Sequence, residues 1–98
     1  MSKFRRTNNA IDANQTQIVK ELRQVPGITV VTGHDDILVG FRGKTYWFEV
    51  KDPSTVGKDG NVRDSAIKES QKMLLKNYTG HYEIVWTTEQ ILKSLEVK

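Results

Sequence analysis

The sequence predicts an α/β fold, a small mixed sheet flanked by helices in the order α-β-β-β-α-β-α. Three observations carry that reading. Apolar residues recur with a helical period in separated stretches, β-branched and aromatic runs of strand length lie between them, and Arg42-Gly43 sits where two such runs would turn into a hairpin. The 98 residues make room for one domain with one modest core.

The first helix is read from Ile11, Ile18, Val19, Leu22 and Val25, with Gln15 on the same stripe. Asn8 or Asn9 would cap its start and Pro26-Gly27 would stop it. Residues 1–8 are polar and basic and read as a flexible arm, which leaves 9–98 as the single domain. Residues 28–31 are β-branched throughout and predict a short strand. Residues 37–41 and 44–51 predict two strands joined by Arg42-Gly43.

From 52 to 64 the chain carries Pro53, Gly57, Gly60 and Asn61 without periodicity, a loop of a length that is more often functional than filler. Ser65 would cap a second helix with Ile67, Gln71, Leu74, Leu75 and Tyr78 on its inner face and Gly80 at its end. Residues 82–86 predict another strand. Thr87 followed by Gln90 has the spacing of a capping box and opens a last helix through Ile91, Leu92 and Leu95.

Composition narrows the chemistry. Fifteen Lys and Arg against twelve Asp and Glu leave a net charge of +3, which permits a polyanionic partner without demanding one. There is no cysteine, so disulfides, thiolate metal sites and cysteine nucleophiles are excluded together. With only His34 and His81, a metal site must lean on carboxylate oxygen, which suits Mg²⁺ or Mn²⁺. No apolar run approaches the roughly 20 residues of a membrane span, and no apolar stretch follows the basic start. A cytoplasmic protein with no membrane partner is the expectation.

The informative segment runs from Asp36 to Lys51. Strand side chains alternate, so Glu49 and Lys51 share one face while Phe48 and Val50 take the other. If Arg42 and Gly43 are the two loop residues, Phe41 faces Lys44 and Asp36 comes opposite Glu49. A bulge would slip the pairing by one and make Asp35 the alternative partner. Two adjacent carboxylates repel unless a cation sits between them, and a lysine beside them can hold a water or support a developing anion. That is the arrangement phosphodiester hydrolysis needs. A solvated strand face with a weak ion pair has the same Glu-x-Lys pattern.

At this point the residues resemble a known family. Asp36, Glu49, Val50 and Lys51 are similar to the PD-(D/E)xK nuclease motif, and the element order resembles that superfamily's core. More narrowly, the chain resembles the stand-alone VRR-NUC (virus-type replication-repair nuclease) domain of phages and bacteria, over nearly its whole length from Asn9. Two departures stand out: Asp35 occupies the place of the family's proline, and the first helix offers Gln15 and Gln17 where the family often has a glutamate.

The resemblance implies a Mg²⁺- or Mn²⁺-dependent DNA endonuclease in a bacterial or phage-infected cell, with no small-molecule cofactor. Asp36 and Glu49 would ligate the cation together with the main-chain carbonyl of Val50. Lys51 would position the attacking water, and Gln71 would orient Lys51 or touch the DNA backbone. A buried amide satisfied by main chain is the plainer role for Gln71. Structure-selective cleavage by a homodimer, of the Holliday-junction-resolvase kind, follows from the same resemblance. Alternatives are an exonuclease, a restriction-type endonuclease, or a non-catalytic nucleic-acid-binding or assembly protein on the same scaffold.

Candidate DNA contacts are Lys3, Arg5 and Arg6 in the arm, His34 before the acidic pair, and Lys58 and Arg63 in the long loop. Each could equally be a solvated cation, and His34 a turn residue. His81 reads as a turn residue or a helix-end cation. Trp47 shares the face of Glu49, although a core role is the plainer expectation for tryptophan.

Overall fold

The computed structural model describes residues 14–34 and 36–97. The arm at 1–8 with Lys3, Arg5 and Arg6, the cap at Asn8 or Asn9, Ile11 and Asp35 lie outside those residues. Helix α1 occupies residues 14–23, and the chain then forms strands β1 (Thr29–Thr32), β2 (Asp36–Phe41) and β3 (Lys44–Val50). Helix α2 (Glu69–Asn77), strand β4 (Tyr82–Val85) and helix α3 (Thr88–Leu95) complete it. The result is an α/β fold with a four-stranded mixed sheet in the order β1-β2-β3-β4.

The first three strands are antiparallel neighbours, and β4 runs parallel to β3. A parallel pair cannot be closed by a tight turn, so the chain between β3 and β4 has to cross over, and it does so through α2. The β2–β3 hairpin turns on Arg42 at φ +53° and Gly43 at φ +80°. Both central residues are left-handed, the signature of a turn whose twist matches the flanking strands. For arginine that conformation costs about 1–2 kcal/mol. Its guanidinium lies 4.8 Å from the Phe41 ring centroid, a contact that offsets part of the cost, on the order of 0.5–1 kcal/mol.

Period-2 alternation sorts the two sheet faces. Ile37, Val39 and Phe41 of β2, Phe48 and Val50 of β3 and Val85 of β4 point to one face, where Ile18, Val19 and Leu22 of α1 and Ile91 and Leu95 of α3 cover them. Arg23 ties the end of α1 to β1 by donating to the Val30 carbonyl at 3.1 Å. Helix α3 opens as the sequence predicts: the Thr87 hydroxyl accepts from Gln90 N at 3.2 Å, and Gln90 Oε1 accepts from Thr87 N at 2.9 Å.

The second helix departs from its prediction. Residues 64–66 form a separate 3-10 turn, so Ser65 caps nothing, and α2 begins only at Glu69 and ends at Asn77, before Gly80. Lys68 stands at its N-cap and has no acceptor to offer. Gln71 supplies the bond instead, its Oε1 accepting from Lys68 N at 3.0 Å. Of the predicted inner face only Gln71 is fully buried, while Leu75 is 47% and Tyr78 46% exposed. The long loop is also more regular than its composition suggests. A 3-10 turn at Pro53–Thr55 and a bridge between Val56 and Val62 give it internal order, and Arg63 braces it by donating to the Ser54 carbonyl at 2.9 Å.

Phe48 is fully buried at the centre of the core, so Phe48→Ala is expected to lower stability by about 3–5 kcal/mol in denaturant titration. A second prediction concerns Glu21. The Thr88 hydroxyl, and after it the Gln17 amide, hold its carboxyl below the ordinary value of 4.5. A depressed carboxylate stabilises the fold above its unfolded value and loses that contribution as pH falls through the folded one. Thr88→Val is therefore expected to move the Glu21 titration upward in NMR and to shrink the loss of stability on acidification.

Candidate metal centre

On the face away from the α1–α3 core, register builds rows across the sheet. Val31, Leu38, Trp47 and Tyr82 are successive partners on β1 to β4. The next row brings Asp36 opposite Glu49, with Ile84 beyond. The pairing predicted from the two-residue turn is thus the observed one. Counting down from Phe41–Lys44, hydrogen-bonded and open pairs alternate, and Asp36–Glu49 is an open pair. In such pairs the Cα atoms approach to about 4.5 Å and the side chains are at their closest.

Each carboxylate is held from the side by an aromatic ring. Trp47 Nε1 donates to Asp36 Oδ2 at 2.8 Å, and the Tyr82 hydroxyl donates to Glu49 Oε1 at 3.4 Å. The two rings meet edge to face with centroids 4.9 Å apart, so the donors are braced against each other. Tyr78, just past the end of α2, adds a second edge contact to Trp47 at 5.3 Å. Trp47 is accordingly half-buried beside the acidic pair and not in the main core.

Gly33 completes the pocket around Asp36. Its N–H donates to the Asp36 carbonyl at 2.8 Å, and its carbonyl accepts from Gln15 Nε2 at 3.4 Å. A Cβ at position 33 would stand 2.1 Å from Asp36 Oδ1, so any larger residue would force the carboxylate to turn away from its present position. Glu49 is 4% exposed and Asp36 half-buried, so the pair sits at the edge of the interior.

Lys51 follows directly past the end of β3. Its main chain is pinned twice, N–H donating to the Val85 carbonyl at 2.9 Å and carbonyl accepting from Asn14 Nδ2 at 2.8 Å. Because the Lys51 amide turns toward β4, alternation turns the Val50 carbonyl to the β2 side, past the last β2–β3 pair. Gln15 is buried on α1, and its Oε1 has no hydrogen-bond partner among the described residues. That atom could accept from a water bound nearby. Gln17 is exposed and donates to Glu21 at 2.8 Å, away from this cluster.

Asp36, Glu49, Val50, Lys51 and Gln15 therefore share one end of the sheet, with Gly33 and His34 at its edge. Gln71, buried on α2, has its carbonyl oxygen committed to the helix cap. Lys58 is exposed in the long loop, and the Arg63 guanidinium is engaged with loop carbonyls. Gly33 and Tyr82 join the site without a signal in the residue pattern. The spacing of β4 could not place Tyr82, since a parallel partner is chosen by the crossover and not by a local turn.

Among the described residues no three His, Asp, Glu or Cys side chains come together as a metal cage. The donor set that is present consists of two carboxylates and a main-chain carbonyl, all hard oxygen. It suits Mg²⁺ or Mn²⁺, which retain several waters and need few protein ligands. No protein-family model, no curated protein and no solved structure matches this chain.

The tight approach of Gly33 to Asp36 makes a direct prediction. Gly33→Ala should turn the Asp36 carboxylate and break its bond from Trp47, shifting the Trp47 indole N–H resonance in ¹H–¹⁵N spectra. An unmoved indole peak in the folded variant would show that the carboxylate does not depend on that space.

Proposed function

We propose that this chain is a metal-dependent, structure-selective DNA endonuclease that hydrolyses phosphodiester bonds, with a PD-(D/E)xK core of the VRR-NUC kind. The observation that carries the reading is the open cross-strand pair Asp36–Glu49, with Lys51 two residues beyond Glu49, where strand alternation would put it on the same face. Its likeness to the VRR-NUC pattern, in triad and element order, supports the choice of DNA as substrate and of branched structures, four-way junctions included, as the preferred form. A homodimer is part of the same proposal, because paired symmetric cuts need two sites.

In this reading Asp36, Glu49 and the Val50 carbonyl hold Mg²⁺ or Mn²⁺. The cation, when bound, supplies Lewis-acid polarisation of the scissile phosphate and lowers the pKa of water. Trp47 and Tyr82 fix the carboxylate orientations, so little reorganisation is needed as charge develops. The Lys51 ammonium stabilises the extra negative charge on the pentavalent phosphorus. Its main chain is tied to both β4 and α1, which limits its positional freedom. Water attacks phosphorus, the P–O3′ bond breaks, and the departing 3′-oxygen takes a proton, leaving a 3′-hydroxyl and a 5′-phosphate. Gln15 Oε1 is an acceptor for a hydrating water, and Gln71 acts by holding the start of α2.

The test is cleavage of a labelled four-way junction and a matched linear duplex, with Mg²⁺, with Mn²⁺ and with EDTA. Metal-dependent cuts near the crossover are expected, falling by roughly 100-fold or more in Asp36→Ala and Lys51→Ala, with DNA binding by Lys51→Ala substantially retained. A folded protein that cuts no DNA with either metal would replace this reading with that of a non-catalytic binding module.

A further inference from the structure

Two depressions flank the segment Thr32-Gly33, and both reach the candidate centre. One is a cleft of about 740 Å³ between α1 and the β1–β2 connection. Its cationic lining residues are Lys20 and Arg23, with His34 beside them and no acid among the described lining residues, and Gln15 lies in its wall. The other is a groove of about 380 Å³ on the sheet face, lined by Val31, Leu38, Trp47 and Tyr78 with Asp36 in its wall. Both volumes fall in the range of roughly 300–1,000 Å³ typical of ligand sites.

The groove is apolar and open. Val31 is 64% and Leu38 41% exposed, although they belong to a row that crosses the whole sheet. Exposed apolar surface of this kind marks a binding surface. Its row lies two residues along the strands from the Asp36–Glu49 row, a step of about 6.6 Å. A ligand with an anionic edge and an apolar edge, joined over a few ångströms, would fill cleft and groove together. An unpaired nucleic-acid strand has that form: phosphates along one edge, free π-faces along the other. A duplex offers only the phosphates, because its base faces are stacked on one another. A second copy of this chain is a poorer occupant, since it would bury the Asp36 carboxylate at an interface.

We infer that a single unpaired DNA strand crosses Thr32-Gly33 with its phosphates in the basic cleft and at least one base on the Val31–Leu38–Trp47 groove. The inference rests on the nuclease reading for the choice of DNA, and it makes an unstacked nucleotide the feature that the enzyme selects at a branch. Lys20 and Arg23 are then strand-binding residues, and Leu38 and Tyr78 are base-binding ones.

The experiment is anisotropy with a labelled oligo-dT, the same length of duplex, and an abasic sugar–phosphate oligomer, all in EDTA so that nothing is cut. The wild-type chain should bind oligo-dT roughly tenfold tighter, or more, than either competitor, as stacking of one base predicts. Lys20→Glu, at an exposed position, should weaken all three and reduce the salt slope on oligo-dT by about 0.7 for each phosphate it no longer neutralises. Leu38→Ser should abolish the oligo-dT advantage and leave the abasic oligomer unchanged, with Tyr78→Ser as a second variant should Leu38→Ser fold poorly. Equal affinity for the three ligands would overturn the inference. So would a dimer in sedimentation that Leu38→Ser dissociates without altering oligo-dT binding. Cleavage with Mg²⁺, measured separately, divides the outcomes: cutting without a preference for unpaired DNA sinks this inference alone, whereas tight oligo-dT binding without cutting sinks the nuclease reading alone.

Discussion

The two-residue turn at Arg42-Gly43 governs everything at the far end of the β2–β3 hairpin. With both residues left-handed, the strands leave the turn in register, and five pairs later Asp36 faces Glu49 across an open pair. One inserted residue would move every side chain of one strand to the opposite face. The core would then receive Asp36 and Leu38 in place of Ile37 and Val39, so a slip would cost the whole apolar face of a central strand. Packing and turn geometry thus enforce the same register. The acidic pair inherits its position from that agreement.

The two sheet faces differ in character because their covers differ. Helices α1 and α3 seal one face with aliphatic side chains. The other is covered only partly, by the Tyr78 end of α2 and by the aromatic rings of β3 and β4. A carboxylate on the sealed face would be prohibitively costly. On the partly covered face Glu49 is buried with the Tyr82 hydroxyl donating to it, and Asp36, bonded from Trp47, is only half-buried. This gradient of burial places Glu49 inside the protein and Asp36 in the wall of an open groove.

Helix α1 joins the two faces. Its apolar stripe packs into the core, while Asn14 and Gln15 at the described start of the helix bond to the main chain of Lys51 and Gly33. Amides suit this task better than a charge would, since each can donate to a carbonyl without adding to the repulsion between Asp36 and Glu49. Among the described residues no helix is long and apolar enough to cross a membrane.

The local features were legible from residue order alone: the hairpin turn, the Asp36–Glu49 pairing, and the Thr87–Gln90 cap. Each depends on residues close in the chain or on a tight turn, so short-range sterics and hydrogen bonding suffice to determine it. Tertiary structure decided the rest. Leu75 on α2 and Tyr78 just past its end stay exposed, whereas the helical period alone placed both on an inner face. Trp47 was legible as a neighbour of Glu49 but not as the donor to Asp36, and Tyr82 reaches Glu49 only through a parallel crossover. Such contacts join segments up to 33 residues apart, and their geometry is set by how helices pack and not by any local pattern.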